Sequence, residues 1–207
     1  MVIDKKEHII NVAIDLFAEK GFEGTSIRDL AGKAEVNVAM INYYFGSKEK
    51  LFEYMVEFKS TYIRERLEEI TNNEQTSDIE KIDAIIEHYV HRFITNHKYH
   101  RVLHQELLLL QREKIHAAII KTFSKNTAFI KAIIENGIKN KVFRKVDPEF
   151  TIITIIGTIN QAMLSKSMCS LMLGENEDYD LYTDDKFSKR IIKHLKQLIH
   201  AHLLIEQ

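Results

Sequence analysis

Histidine is the residue type whose crowding first suggests chemistry in this chain. His88, His91, His97, His100 and His104 lie close together. His100 and His104, four apart, fall on one helical face, a spacing that can ligate a metal ion. The glutamate of an H-E-x-x-H motif is missing, and a single Glu-x-x-His pair, Glu113 with His116, stands where a di-iron bundle needs two. Solvated or hydrogen-bonded imidazoles account for the group, with a pH effect on folding as the corollary. The sequence has no phosphate-binding Gly-rich loop and no nucleophile with a placed base. Cys169, the one cysteine, reads as a small core residue in a reducing cytoplasm. No metal or cofactor is expected, and no catalysis.

A second constellation lies near the N-terminus. The first fifty residues carry seven Lys/Arg and eight Asp/Glu, yet Val36 through Lys48 contains no acidic side chain. A carboxylate there would oppose a nucleic-acid phosphate. At 100° per residue Ile41 and Phe45 turn inward, which leaves Val38, Ala39, Asn42 and Tyr43 facing outward. The Asn42 amide can give and accept hydrogen bonds at the adenine N6/N7 edge, Val38 and Ala39 can pack on thymine methyls, and Met40 suits either task. Arg28, Tyr43, Tyr44, Lys48 and the hydroxyls of Thr25 and Ser26 are candidate phosphate ligands. Core packing is the alternative for Tyr44, and a solvated surface amide is the alternative for Asn42.

These groups need elements to hold them. Asp4 and Glu7 have capping-box spacing ahead of a first helix that runs to Lys20, where Gly21 stops it and Phe22 folds back. Thr25 or Ser26 caps a second, short helix carrying Ile27, Leu30 and Ala31, and Asn37 caps a third over Val38 to Phe45. Two short helices joined by a tight turn match helix-turn-helix spacing, in which the second helix enters the major groove. Ser47 caps a long fourth helix. Further helices are expected over Asp78 to Asn96, Tyr99 to Arg112, Ile115 to Asn140, Glu149 to Leu173 and Asp185 to Leu204. Gly137 marks a fraying end or a close packing contact.

The whole chain of 207 residues holds 7 Gly and 1 Pro, too few for a turn-rich β fold, and it is 45% hydrophobic and 29% charged. Its fold class is therefore all-α. No apolar run approaches the roughly 18 residues of a membrane span. The net charge of −1 gives no general basic footprint, so any nucleic-acid contact must come from local geometry.

The later helices offer two further surfaces. Tyr89, Phe93, Leu103, Leu107, Phe123, Ile130, Ile156, Asn160 and Met163 mix aromatic, flexible and polar groups and are candidates for lining a small-molecule cavity, with ordinary core as the alternative. Ile191, Ile192, Leu195, Leu198, Ile199 and His202 form a stripe on the final helix, and Ile156, Ile159, Met163, Leu164, Met168 and Leu171 populate the one before it. One short recognition helix makes few base contacts, so these stripes are candidates for two-fold pairing into a four-helix bundle.

The stretch Thr25 to Leu51, and above all its ending Tyr44-Phe45-Gly46-Ser47-Lys48-Glu49-Lys50-Leu51, resembles the N-terminal domain of tetracycline-repressor-type (TetR family) transcriptional regulators. A weaker echo, Glu135 to Pro148, looks like the family's connection into its first dimerisation helix. The resemblance implies a helix-turn-helix DNA-binding domain over 1–50 and a helical effector-binding and dimerisation domain over 51–207. It implies a homodimer that grips a palindromic double-stranded operator and lets go when a small molecule binds. Family DNA contacts map onto Thr25, Arg28, Asn37, Val38, Ala39, Met40, Asn42, Tyr44 and Lys48. This chain departs from the family with Glu35, where Gly is common in the turn, and with Asn42, where Tyr is common. A helical-bundle metal protein or enzyme, and a protein-interaction module, are the alternatives from other classes.

Overall fold

The computed structural model describes residues 5–109, 112–176 and 178–205. Among them are the helices α1 (Lys5–Lys20), α2 (Ile27–Lys33), α3 (Val38–Phe45), α4 (Lys48–Asn72) and α5 (Asp78–Thr95), followed by α6 (His97–Leu109), α7 (Glu113–Lys139), α8 (Pro148–Leu164), α9 (Lys166–Leu173) and α10 (Asp185–Leu203). No strand occurs among the described residues; an isolated bridge pairs Phe143 with Leu204. The expected capping box on Asp4 lies outside the described residues.

The local signals act as helix propensity and capping chemistry dictate. Gly21 takes a left-handed φ of 74° and ends α1. Ser26 and Asp29 form a reciprocal capping box on α2, and Ser77 and Glu80 form another on α5. Asn37 caps α3 and Asp147 caps α8, whose first residue is the lone proline.

One expected helix divides. In place of a continuous run to Leu173, α8 stops at Ser165, which has φ −102° and ψ 53°. The Tyr182 hydroxyl donates to the Met163 carbonyl at 2.6 Å, giving a partner to one of the acceptors that a helix end leaves open. Tyr182 is remote in sequence, so helical periodicity carried no sign of the break.

The chain packs as two compact units. The first comprises residues 1–62 with 98–124, and the second comprises 63–97 with 125–207. These boundaries do not coincide with a division at residue 50. In the first unit, Tyr99, Val102, Ile115 and Ile119 share a core with Phe17, Leu30, Ile41 and Phe52. Three short helices expose more apolar surface than they can cover themselves, and α6 and α7 close it. Phe17, Phe22 and Phe52 pack there in tilted and edge-to-face pairs with ring centres 5.3 to 5.7 Å apart.

The second unit is built on isoleucine: Ile82, Ile85 and Ile86 of α5 meet Ile155 and Ile159 of α8 and Ile199 of α10. Its rim joins α10 to α5 by an ion pair, Lys196 to Glu87 at 2.6 Å, and by a hydrogen bond between His200 and Asp83 at 2.8 Å. Gly137 is a close packing contact, because a Cβ there would overlap the Phe143 ring.

Candidate nucleic-acid interface

Helix α3 sorts its side chains as the 100° rotation requires. Ile41 and Phe45 are buried in the first unit's core, while Asn37, Val38, Ala39, Asn42 and Tyr43 are exposed. Tyr43 is 84% exposed. Met40 is half-buried. So is Tyr44, which packs against the core with its ring 5.5 Å from that of Tyr43, so it both packs and reaches the surface. Lys6 Nζ lies 5.8 Å from the Tyr44 ring centre.

The turn that aims α3 departs from ordinary backbone at Glu35, whose φ is 54°. Only Gly enters that region without steric cost, so Glu35 holds backbone strain in this turn. The Glu35 N–H donates to the Gly32 carbonyl at 3.3 Å and the Val36 N–H to the Ala31 carbonyl at 3.0 Å.

The candidate phosphate ligands divide. Arg28 is exposed and Ser26 is exposed, although the Ser26 hydroxyl accepts the Asp29 N–H at 3.1 Å as the cap of α2. Hydrogen bonds from Ser26, then the nearby Lys20, hold the Asp29 carboxyl below the usual carboxylate range. Thr25 requires a correction. It is fully buried, and its hydroxyl donates to the Gly21 carbonyl at 2.8 Å, so it braces the α1–α2 corner and its hydroxyl is not offered to a phosphate. Lys48 is half-buried, with Nζ donating to the Phe22 carbonyl at 2.8 Å and the Thr25 carbonyl at 2.9 Å. Two of its three donors therefore hold the corner, leaving one for an outside anion.

Residues 9–55 match the model of bacterial regulatory proteins of the tetR family, and residues 75–164 match the tetracyclin repressor-like C-terminal domain. The chain is 33% identical over 151 residues, 69% of each protein, to "Probable HTH-type transcriptional regulator YttP" of Bacillus subtilis (strain 168). The chain belongs to the tetR family. Two solved structures share its fold. FadR from Bacillus subtilis, in complex with stearoyl-CoA, matches with a TM-score of 0.71 and 21% identity over 91% of this chain and 96% of that one. AibR, in complex with isovaleryl coenzyme A and operator DNA, matches with a TM-score of 0.71 and 16% identity over 94% of this chain and 97% of that one.

As a tetR-family member the chain is a DNA-binding transcriptional regulator, and α2 and α3 form its helix-turn-helix. The candidate effector residues of this regulator do not form one group. Tyr89, Phe93, Ile130, Ile156 and Met163 share the second unit's core, whereas Leu103 and Leu107 pack on the first unit's core, and Phe123, also of the first unit, is 43% exposed. Burial raises the Tyr89 phenol well above its ordinary range. Asn160 places its Oδ1 in a buried position with no hydrogen-bond partner among the described residues, and His88 does the same with Nε2. Burial, followed by Arg92, Arg66 and His91, pushes the His88 imidazole down to about 4.

The pairing stripes need correction as well. Ile191, Leu195, Ile199, Ile156, Ile159 and Met163 are buried within their own unit and cannot face a second copy. The apolar side chains left outside on α8 are Phe150 at 69% and Ile153 at 59% exposure, with exposed Gly157 one turn on. On α10, Leu198 of the expected stripe is exposed, followed by Ala201, and the expected Met168 and Leu171 are exposed as well but on α9. Spacings of three and four put each set on one helical face, a signal present in the sequence but hidden beneath the richer isoleucine stripe. Between α8, α9 and α10 lies a hollow of about 530 Å³ lined by residues including Ala162, Met168, Cys169, Phe187 and Arg190. Cys169 is half-buried, packed against the second unit's core at the edge of this hollow.

Proposed function

We propose that this tetR-family regulator is a repressor whose homodimer binds a palindromic operator and is released by a small molecule of the fatty acyl-CoA class. The observation that carries the reading is the outward face of α3: Val38, Ala39, Asn42 and Tyr43 exposed, with no carboxylate from Val36 to Lys48. Residues 1–50 read DNA, with Asn42 as the base reader and Arg28, Tyr43 and the remaining donor of Lys48 on phosphates. Residues 51–207 receive the effector and pair the subunits.

Dimerisation through the outer faces of α8 and α10 is supported by Phe150, Ile153 and Leu198, exposed apolar residues that a second copy would cover. The acyl-CoA class is supported by the ligands of FadR and AibR and by an isoleucine-rich second unit whose buried Asn160 and His88 atoms await a polar partner. Release follows from differential affinity: the effector favours a conformation whose two recognition helices no longer match successive grooves about 34 Å apart. On this reading the chain catalyses nothing and works in the cytoplasm.

Selection of bound duplexes from a random pool by the purified protein tests the proposal. An enriched inverted repeat, with stearoyl-CoA lowering affinity for it, is the expected result. Enrichment of no duplex refutes the DNA reading, and an effect of stearoyl-CoA no larger than that of an uncharged detergent refutes the effector class.

A further inference from the structure

Within the first compact unit, α6 and α1 meet along a polar seam. Lys98 Nζ reaches Asp15 at 2.7 Å, and Arg101 donates to the Ala18 carbonyl at 3.2 Å. These contacts are exposed. The seam ends differently, at Arg112. Its Nε and one terminal nitrogen donate to Glu23 Oε1 at 3.0 and 2.7 Å, and its other terminal nitrogen donates to Glu106 of α6. The guanidinium also lies 4.7 Å from the Phe22 ring centre, and Lys48 Nζ lies 4.3 Å from the same centre.

Exposure separates the two halves of this contact. The Glu106 side chain is 5% exposed, whereas that of Glu23 is 75% exposed. A buried carboxylate stripped of its counter-ion is costly, while an exposed ion pair opens freely. Arg112 therefore stays with Glu106, and the bond to Glu23 is the half that yields. The main chain fixes it further, because the His116 N–H in the first turn of α7 donates to the Arg112 carbonyl at 2.9 Å. On the other side of the contact, Glu23 belongs to a stiff corner. A Cβ on Gly24 would overlap the Lys20 carbonyl, Thr25 is buried, and Ser26 caps α2 directly afterwards. A displacement of Glu23 is thereby passed to α2 and the helix packed on it.

We infer that Arg112 is a positioning residue for DNA binding: anchored to α6 and α7, it clasps the α1–α2 corner through Glu23 and Phe22 and sets the angle at which α2 and α3 meet the operator. The inference rests on the reading of α3 as the recognition helix. It gives the corner two clasps, Lys48 from α4, which holds main-chain carbonyls, and Arg112 from the α6–α7 junction, which holds an exposed carboxylate.

The test is a cycle of wild type, Glu23→Gln, Arg112→Lys and the double variant. It is read on affinity for the duplex the wild type selects and on amide hydrogen exchange at residues 21–25. Arg112→Lys keeps a positive charge for Glu106 but loses the fork. Removing the Glu23 charge shifts affinity for every duplex by itself, and the cycle subtracts that effect. The expected result is a non-additive change of about fivefold or more in operator Kd, with faster exchange at 21–25 in Glu23→Gln and unchanged exchange in α5 and α10. Additive affinities overturn the inference, including the case where only the melting temperature falls. Unchanged exchange at 21–25 also overturns it, and that measurement requires no DNA. Failure of the wild type to select any duplex refutes the recognition-helix reading separately, while exchange still decides whether the clasp exists.

Discussion

In the proposed reading, specificity is set by single residues, with Asn42 as the base reader. Its amide stands exposed on α3, and one bidentate amide–adenine contact discriminates by about 1–3 kcal/mol. Asn42→Ala should relax choice at one base pair of each half-site while leaving affinity for random duplex nearly unchanged, as measured by binding to operators substituted base by base. Glu35 makes the opposite point. With φ at 54° it occupies a conformation costing an L-residue about 1–2 kcal/mol, part of which glycine returns through its greater unfolded-state freedom. Glu35→Gly should therefore stabilise the protein by roughly 0.5–1 kcal/mol, seen as a higher urea midpoint at constant m-value; a lower midpoint would show that the turn holds no strain. The identity of Asn42 as an outward residue was readable from rotation about a helix. The burial of Thr25 was not, because its partner carbonyls belong to the corner that α1 and α2 form only when packed.

At the scale of elements, capping explains why so many boundaries were legible. Ser26, Asn37, Ser77 and Asp147 act on main-chain atoms three residues away, so sequence spacing alone defines them. The break between α8 and α9 depends on a distant partner, Tyr182, whereas the end of α7 closes on residues just beyond it. In α7 the glycine at 137 meets Phe143, and the chain between them returns through Lys141 at φ 57°. Gly137→Ala should improve intrinsic helix propensity yet lower stability by about 1–3 kcal/mol, because the added methyl forces the Phe143 ring aside. A rise in melting temperature for this variant would mean that the ring moves without cost.

For the molecule as a whole, assembly and pH response follow from which apolar and titratable groups the two cores enclose. Phe150→Glu with Ile153→Glu should yield folded monomers that bind operator poorly, whereas Leu195→Asp should unfold the second unit, since Leu195 is fully buried. Sedimentation and circular dichroism separate the two outcomes, and intact dimers in the first variant would exclude the α8 face from the interface. His88 adds an acid limb. Its imidazole is held neutral, down to about 4 from 6.5, so the unfolded chain binds its proton first. Stability should fall as pH drops from 6.5 toward 4 and level off below, and His88→Gln should flatten that interval in melting temperature. An unchanged slope would place the acid sensitivity elsewhere.

Periodicity, caps and the acid-free run from Val36 to Lys48 determined by themselves the helical class, the order of the N-terminal helices and the outward face of α3, because each is a relation between residues within a few turns. Which isoleucine stripe would be core and which row would face outward was decided only in three dimensions. Both α8 and α10 carry apolar residues on more than one face, and burial depends on which neighbour arrives. The same holds for Glu23, far along the chain from Glu106 and Arg112, which joins them in one contact only when α6 closes over the corner left open by α1 and α2.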